Sequence, residues 1–160
     1  MKKLNNLKSY LLAFIIPFII LILVFFAKGI WTDIENIYVS DLRLQHMSFL
    51  NYFRNVLIGE VDPTYSFYAG MGNSMISTII FYCLSPVNLL LLFFKNITHS
   101  IIFIYIVKLS LAGLTMFILL KNKFNSNKFI ILVFSTCYAL CAFVINYFFS
   151  IFWFDSLYLA

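Results

Sequence analysis

The chain has 160 residues, of which 63% are hydrophobic and 11% charged, with a mean hydropathy of +0.98. That surface is too apolar for a soluble domain, and the short alternating segments of a membrane barrel are absent, so the expected fold is an all-α polytopic membrane protein. The net charge of +5 sits on lysines beside apolar runs and not on a basic stripe with interleaved aromatics, which argues against nucleic acid and for lipid headgroups as partners.

The N-terminus opens with Lys2, Lys3 and Lys8 and continues into the apolar run Tyr10 to Ala27, read as a first transmembrane helix over 10–27. It exceeds the core of a secretory signal, and Lys28-Gly29-Ile30-Trp31 offers no small-x-small cleavage pattern, so an uncleaved anchor is expected. After it comes a polar segment holding Asp33, Glu35, Asp41, Glu60 and Asp62, five of the six acidic residues of the chain; the sixth is Asp155. Carboxylates in so apolar a chain must sit where water or a cation reaches them, which makes the stretch from Lys28 to Ser74 the first place to look for chemistry.

Within it, Asp41 to Leu57 puts His46, Phe49, Phe53, Val56 and Leu57 on one helical face, predicting an amphipathic helix over 41–57 on the membrane surface. Ser40 or Asp41 then stands at a helix N-terminus, where a polar side chain caps free N–H groups. On the apolar face His46 reads as packing. Asp62-Pro63 marks a turn, and Asp33, Glu35, Glu60 and Asp62 read as solvated loop charges.

Three further apolar stretches follow: Met75 to Phe94, Ile101 to Leu120 and Phe129 to Phe149. The loop with Lys121, Lys123 and Lys128 has no acidic residue, so by the positive-inside rule both it and the N-terminus are expected in the cytoplasm. An even number of crossings must join two cytoplasmic segments. One of the three stretches between them is therefore non-spanning, and Ser85-Pro86, with Gly70 and Gly72 before it, singles out 75–94 as re-entrant or interfacial. The expected map is a single membrane domain over 1–160: an external loop 28–100, a second span 101–120, a cytoplasmic loop 121–128, a third span 129–149 and the start of a fourth at 155–160. The apolar restart Leu157-Tyr158-Leu159 reads as the edge of a longer protein.

Lys108 falls about eight residues into the second span, roughly 12 Å from its external end, where a lysine binds an anion in a cavity, pairs with a carboxylate or snorkels to the headgroups. Asp155, beside Trp153, is delivered to the external face by the third span; an interfacial helix-end carboxylate and a site residue are both open readings. Cys83, Cys137 and Cys141 lie in apolar runs with no further ligand at metal spacing, and read as small packing residues. No internal repeat is visible.

Ser40-Asp41-Leu42, Gln45, Phe49, Phe53-Arg54, Tyr65-Ser66, Gly70-Met71-Gly72-Asn73, Ser85-Pro86-Val87-Asn88-Leu89-Leu90, Lys108-Leu109-Ser110-Leu111-Ala112-Gly113-Leu114 and Trp153-Phe154-Asp155 together resemble the start of the YfhO family of bacterial membrane proteins. Members of that family are longer and are similar to GT-C membrane glycosyltransferases. The resemblance implies a GT-C-like helix bundle in the bacterial plasma membrane, a polyprenyl-phosphate sugar donor, and an envelope glycopolymer such as lipoteichoic acid as acceptor. It also implies Asp41 as the catalytic carboxylate. Asp155, Lys108, Arg43 and Arg54 are the candidate substrate-binding residues, with headgroup contact an equal reading for the two arginines. The cofactor is left open, a divalent cation at Asp155 being one option. A transporter or lipid flippase, with Lys108 and Asp155 on its path, and an inactive membrane fragment are the competing readings.

Overall fold

The computed structural model describes residues 2–32, 39–67, 69–124 and 127–159. Asp33 and Glu35 lie outside the described residues. The first helix, α1 (Lys2–Ala27), ends where Gly29 takes a left-handed φ of 65°. Gly29 N–H donates to Phe26 O and Ile30 N–H to Phe25 O, a Schellman turn that satisfies two end carbonyls.

The next helix, with one side exposed at the surface of the molecule, begins with a π-helical turn, Leu42–His46, and continues as α2 (Met47–Leu57). Leu42, His46, Leu50 and Phe53 form its buried edge. A ribbon of two short strands, β1 (Tyr65–Ser66) and β2 (Asn73–Ser74), pairs antiparallel with Tyr65 opposite Ser74, and is the β-structure found among the described residues. A broken helix comes next. Its first arm is α3 (Met75–Thr78) extended by a π-helical turn, Ile79–Cys83, and its second is a 3₁₀ helix, Pro86–Leu92, bent from the first by 104°. Ser85 is extended (φ −114°, ψ 134°), as a residue before proline prefers, and that fixes the corner.

Helix α4 (Ile97–Lys123) starts from an Asn96 cap, whose side chain accepts from Thr98 N–H, and ends with Lys121 and Lys123 beside its negative dipole end. It is apolar all round and lies at the centre: Ile101, Ile102, Ile104, Tyr105, Ile106 and Leu109 are fully buried, and α1, α5, α7 and the 3₁₀ arm pack around it. Its start at Ile97 sets Lys108 ~16 Å along the axis, about one turn deeper than the sequence alone implies.

Where one helix is expected over 129–149, the chain forms α5 (Lys128–Ala139) and α6 (Ala142–Asn146), separated by a turn at Leu140 and Cys141. A 3₁₀ turn, Ile151–Trp153, then leads into α7 (Phe154–Leu159). Three stretches are long and apolar enough to cross a bilayer, Leu7–Ala27, Ile97–Lys123 and Lys128–Asn146, with the bent pair a fourth if counted as one span.

Three helices approach one another closely at Gly113. Pro17 has no N–H to give Ala13, so the Ala13 carbonyl of α1 is freed, and Gly113 on α4 faces it: a Cβ at Gly113 would stand 3.1 Å from Ala13 O, 3.0 Å from Pro17 Cγ and 3.4 Å from Ala139 Cβ on α5. Small residues are what allow such contact where lipid removes the hydrophobic incentive to associate. Gly113→Leu is expected to force three helices apart at a cost of about 1–3 kcal/mol, read as a lower thermal unfolding midpoint in detergent, with Gly113→Ala much milder. An unchanged midpoint for the leucine variant would mean that the three helices do not meet there.

Candidate functional site

Helix α4 brings Lys108 to the inner side of the broken helix, fully buried, and the turn after α6 brings Asp155 to meet it. Lys108 Nζ lies 2.9 Å from Asp155 Oδ2 and donates also to the Ile151 carbonyl at 3.3 Å. The other carboxylate oxygen, Oδ1, accepts from Ser85 Oγ at 2.9 Å and from Tyr158 OH at 2.7 Å. With one proton on each hydroxyl spent in this way, the 3.1 Å separation of Ser85 Oγ and Tyr158 OH is a contact and not a third bond. Asp155 is thus held by the corner of the broken helix, by α4 and by its own helix, and its side chain remains 20% exposed.

The corner has its own internal support. Asn88 Nδ2 donates to Cys83 O at 2.9 Å across the break, Ser85 N–H donates to the same carbonyl at 2.7 Å, and Cys83 Sγ donates to Phe49 O at 3.6 Å on the surface helix. These bonds replace the helical ones that Pro86 interrupts. Asn88 Oδ1 is buried and has no partner.

His46 ties the surface helix to the first arm of the broken helix and to the 3₁₀ turn that precedes α7. Its ring centroid is 5.0 Å from that of Phe152 and 5.7 Å from that of Tyr82, and Phe49 stands 5.0 Å from Tyr82. His46 Nε2 is buried without a partner. Burial lowers the imidazole pKa below its ordinary 6.5, with the charge of Asp41 pulling weakly the other way. The folded state therefore favours the neutral ring, so the stabilising packing is present above the ordinary pKa and is lost as pH falls through 6.5 toward the lowered value. Lowering pH from 7.5 to 5.5 is expected to loosen the surface helix, seen as faster amide exchange over residues 42–57, and His46→Phe is expected to remove that pH dependence. Retention of the acid response in the phenylalanine variant would assign it elsewhere.

Asp41 stands exposed at the head of the surface helix with no side-chain capping bond, next to Ser40, whose φ is 48°. The cap expected there is therefore not formed. Arg43 is exposed on the first turn. Arg54 turns toward the start of α4, where it donates to Phe94 O at 3.4 Å while its Nε is buried unpartnered. Glu60 is exposed, and Asp62 closes a turn: its Oδ1 accepts from Thr64 N–H at 2.6 Å and from the Thr64 hydroxyl, which holds its carboxyl below the usual range. The structure brings Lys108 and Asp155 into contact. It leaves Asp41 and Arg43 on the surface helix and Arg54 at a separate junction.

Ser85, Asn88 and Tyr158 were not singled out by sequence reasoning as site residues. Their signal was available: a hydroxyl or amide in an otherwise apolar run needs a hydrogen-bond partner. Among the described residues no three His, Cys, Asp or Glu side chains stand together to hold a metal. Asp155 does not fit a divalent cation as arranged, because the Lys108 ammonium already occupies the position against Oδ2.

The helices and the membrane-length spans define an all-α, multi-pass membrane protein. The chain belongs to the YfhO family: the family model described as bacterial membrane protein YfhO matches residues 13–160. No curated protein and no solved structure matches the chain.

Proposed function

We propose that the chain is the N-terminal part of a GT-C-like glycosyltransferase that moves a sugar from a polyprenyl-phosphate donor to an envelope glycopolymer, such as lipoteichoic acid, at the external face of the plasma membrane. The observation that carries this reading is the position of Asp41: an exposed, uncapped carboxylate on a surface helix whose His46 packs on Phe152, three residues from Asp155. In the transfer the Asp41 carboxylate takes the proton of the acceptor hydroxyl, the acceptor oxygen bonds to the anomeric carbon, and the sugar–phosphate bond breaks with its electrons leaving on the lipid phosphate. Arg43, two residues on from Asp41, supplies positive charge for that phosphate, whereas Arg54 would have to leave the Phe94 carbonyl to take part.

Lys108 and Asp155 serve the site from below in this reading. Because each is satisfied by the other, direct contact with substrate requires the pair to open. The topology that accompanies the reading has the N-terminus and the Lys121–Lys128 loop in the cytoplasm and residues 28–100 outside, with 75–94 re-entrant; the 104° bend of that segment supports it. Asp41→Asn in the intact protein tests the function: loss of the envelope glycan with normal expression and insertion is expected, and an unchanged glycan would remove Asp41 as the base.

A transporter or lipid flippase is the second reading, and one observation favours it. Lys108 and Asp155 form a charge pair beside a broken helix, the arrangement in which transporters bind their substrates. Transport that survives Asp41→Asn and fails in Lys108→Met would select it.

A further inference from the structure

The break after α5 leaves a space beside α1. Helix α5 packs on α1, the chain then turns at Leu140 and Cys141, and alongside α6 a groove of about 480 Å³ opens to the outside. Ile20 and Val24, one turn apart on α1, form one wall, and Val144 and Ile145 of α6 contribute to the other. The Phe148 ring that completes the lining is held in place from two directions, stacked on Tyr105 at 4.3 Å and edge-on to Phe25 at 5.8 Å. The groove is therefore a built feature of the bundle.

One end of it lies at the candidate base. Val39 belongs to the lining, and its carbonyl accepts from Leu42 N–H at 3.2 Å, so the turn that carries Ser40 and Asp41 starts from the groove wall. Two peptide units put the Asp41 Cα at most about 7 Å from the Val39 Cα. The composition of the lining then decides what can enter. Every side chain in it is apolar, and a sugar hydroxyl buried there would forfeit about 1–3 kcal/mol for want of a partner. A hydrocarbon chain has nothing to forfeit. The groove is also one slot, so a single-chain lipid seats the whole segment next to its headgroup, whereas a two-chain phospholipid leaves one chain outside.

We infer that this groove holds the phosphate-proximal segment of the donor's isoprenoid tail, so that the sugar–phosphate bond is set down beside Asp41. The identity of that lipid rests on the transfer reading, whereas the groove and its nearness to Asp41 belong to the fold. Seating the tail removes orientational freedom from the headgroup, which is how contact with a non-reacting part of a substrate serves the reacting bond.

The test uses the full chain in lipid nanodiscs holding, at equal mole fraction, either a polyprenyl phosphate with a diazirine near its phosphate or a phosphatidylglycerol with a diazirine on one acyl chain. Both probes are anionic, so charge alone does not separate them. Photolysis is expected to label the groove residues at least about tenfold (~1.4 kcal/mol) more strongly from the polyprenyl phosphate. The Val24→Trp/Ile145→Trp double variant, which fills the slot from both walls, is expected to bring that label down to the phosphatidylglycerol level. Leu23→Trp, next to Val24 but outside the lining, is expected to leave it unchanged. The three side chains are 45%, 73% and 62% exposed, so the bulk is added outside the core. Labelling needs no turnover: the groove can fail with Asp41 still required for the glycan, and the base can fail with the label intact. Equal labelling by the two probes would mean bulk lipid only and would overturn the inference, as would selective label that survives the double variant. Absence of label from either probe would overturn it in favour of a protein occupant, a further helix or a second copy.

Discussion

Asp155→Leu is expected to destabilise the folded chain by about 3–5 kcal/mol, because it strands the Lys108 ammonium, fully buried, with a single backbone carbonyl for company. Lys108→Met is expected to cost less. The carboxylate it leaves behind keeps the Ser85 and Tyr158 hydroxyls, and its side chain is open enough for water to reach. The double variant Lys108→Met/Asp155→Leu is expected to recover most of the loss, since a buried pair and a well-packed apolar replacement are of similar stability. Equilibrium unfolding in mixed micelles measures all three. Equal losses in the two single variants would contradict the unequal burial of the partners, and additive losses in the double would mean that the pair does not interact.

Asp41→Asn is expected to lower sugar transfer by about 10²–10⁴-fold, the usual contribution of a general base, while changing stability by less than about 0.5 kcal/mol. The two halves of that expectation come from the same geometry. An exposed side chain that caps nothing supports no structure, so its removal touches chemistry alone. A variant that lost both glycan and folded protein would point to a structural role, and one that lost neither would point to a different base.

Chemistry that is local in the chain was legible in advance. The corner at Ser85-Pro86 could be read because proline acts on its own neighbours, and the surface helix because His46, Phe49 and Phe53 repeat at helical spacing. The family was legible from spaced motifs, Lys108-Leu109-Ser110 and Trp153-Phe154-Asp155 among them, and the match to residues 13–160 agrees. The break at Leu140-Cys141 was not legible, since no glycine or proline marks it. It arises from contacts distant in sequence: Phe148 stacks on Tyr105 at 4.3 Å, the Tyr105 hydroxyl donates to the Phe148 carbonyl, and Phe143, Tyr147 and Trp153 gather their rings alongside. A straight helix would carry Phe148 past that partner.

The candidate site divides in the same way. That Lys108 needed a counter-charge followed from membrane physics, and structural pairing was among the readings open to it. That Asp155 is the partner depends on the turn after α6, which local propensity does not encode. Ser85 was read as the residue before a proline and as part of a family motif, and its hydroxyl became a partner of Asp155 once the corner had been brought against α7.

The Lys108–Asp155 pair also imposes an order on biosynthesis. Lys108 is made 47 residues before Asp155, an interval of about 2–10 s at ordinary rates of translation. Throughout that interval α4 carries a cation whose partner does not yet exist, which makes its unaided entry into lipid less favourable by about 3 kcal/mol. The ammonium gains its counter-charge only when the terminal turn emerges and folds back against the central helix.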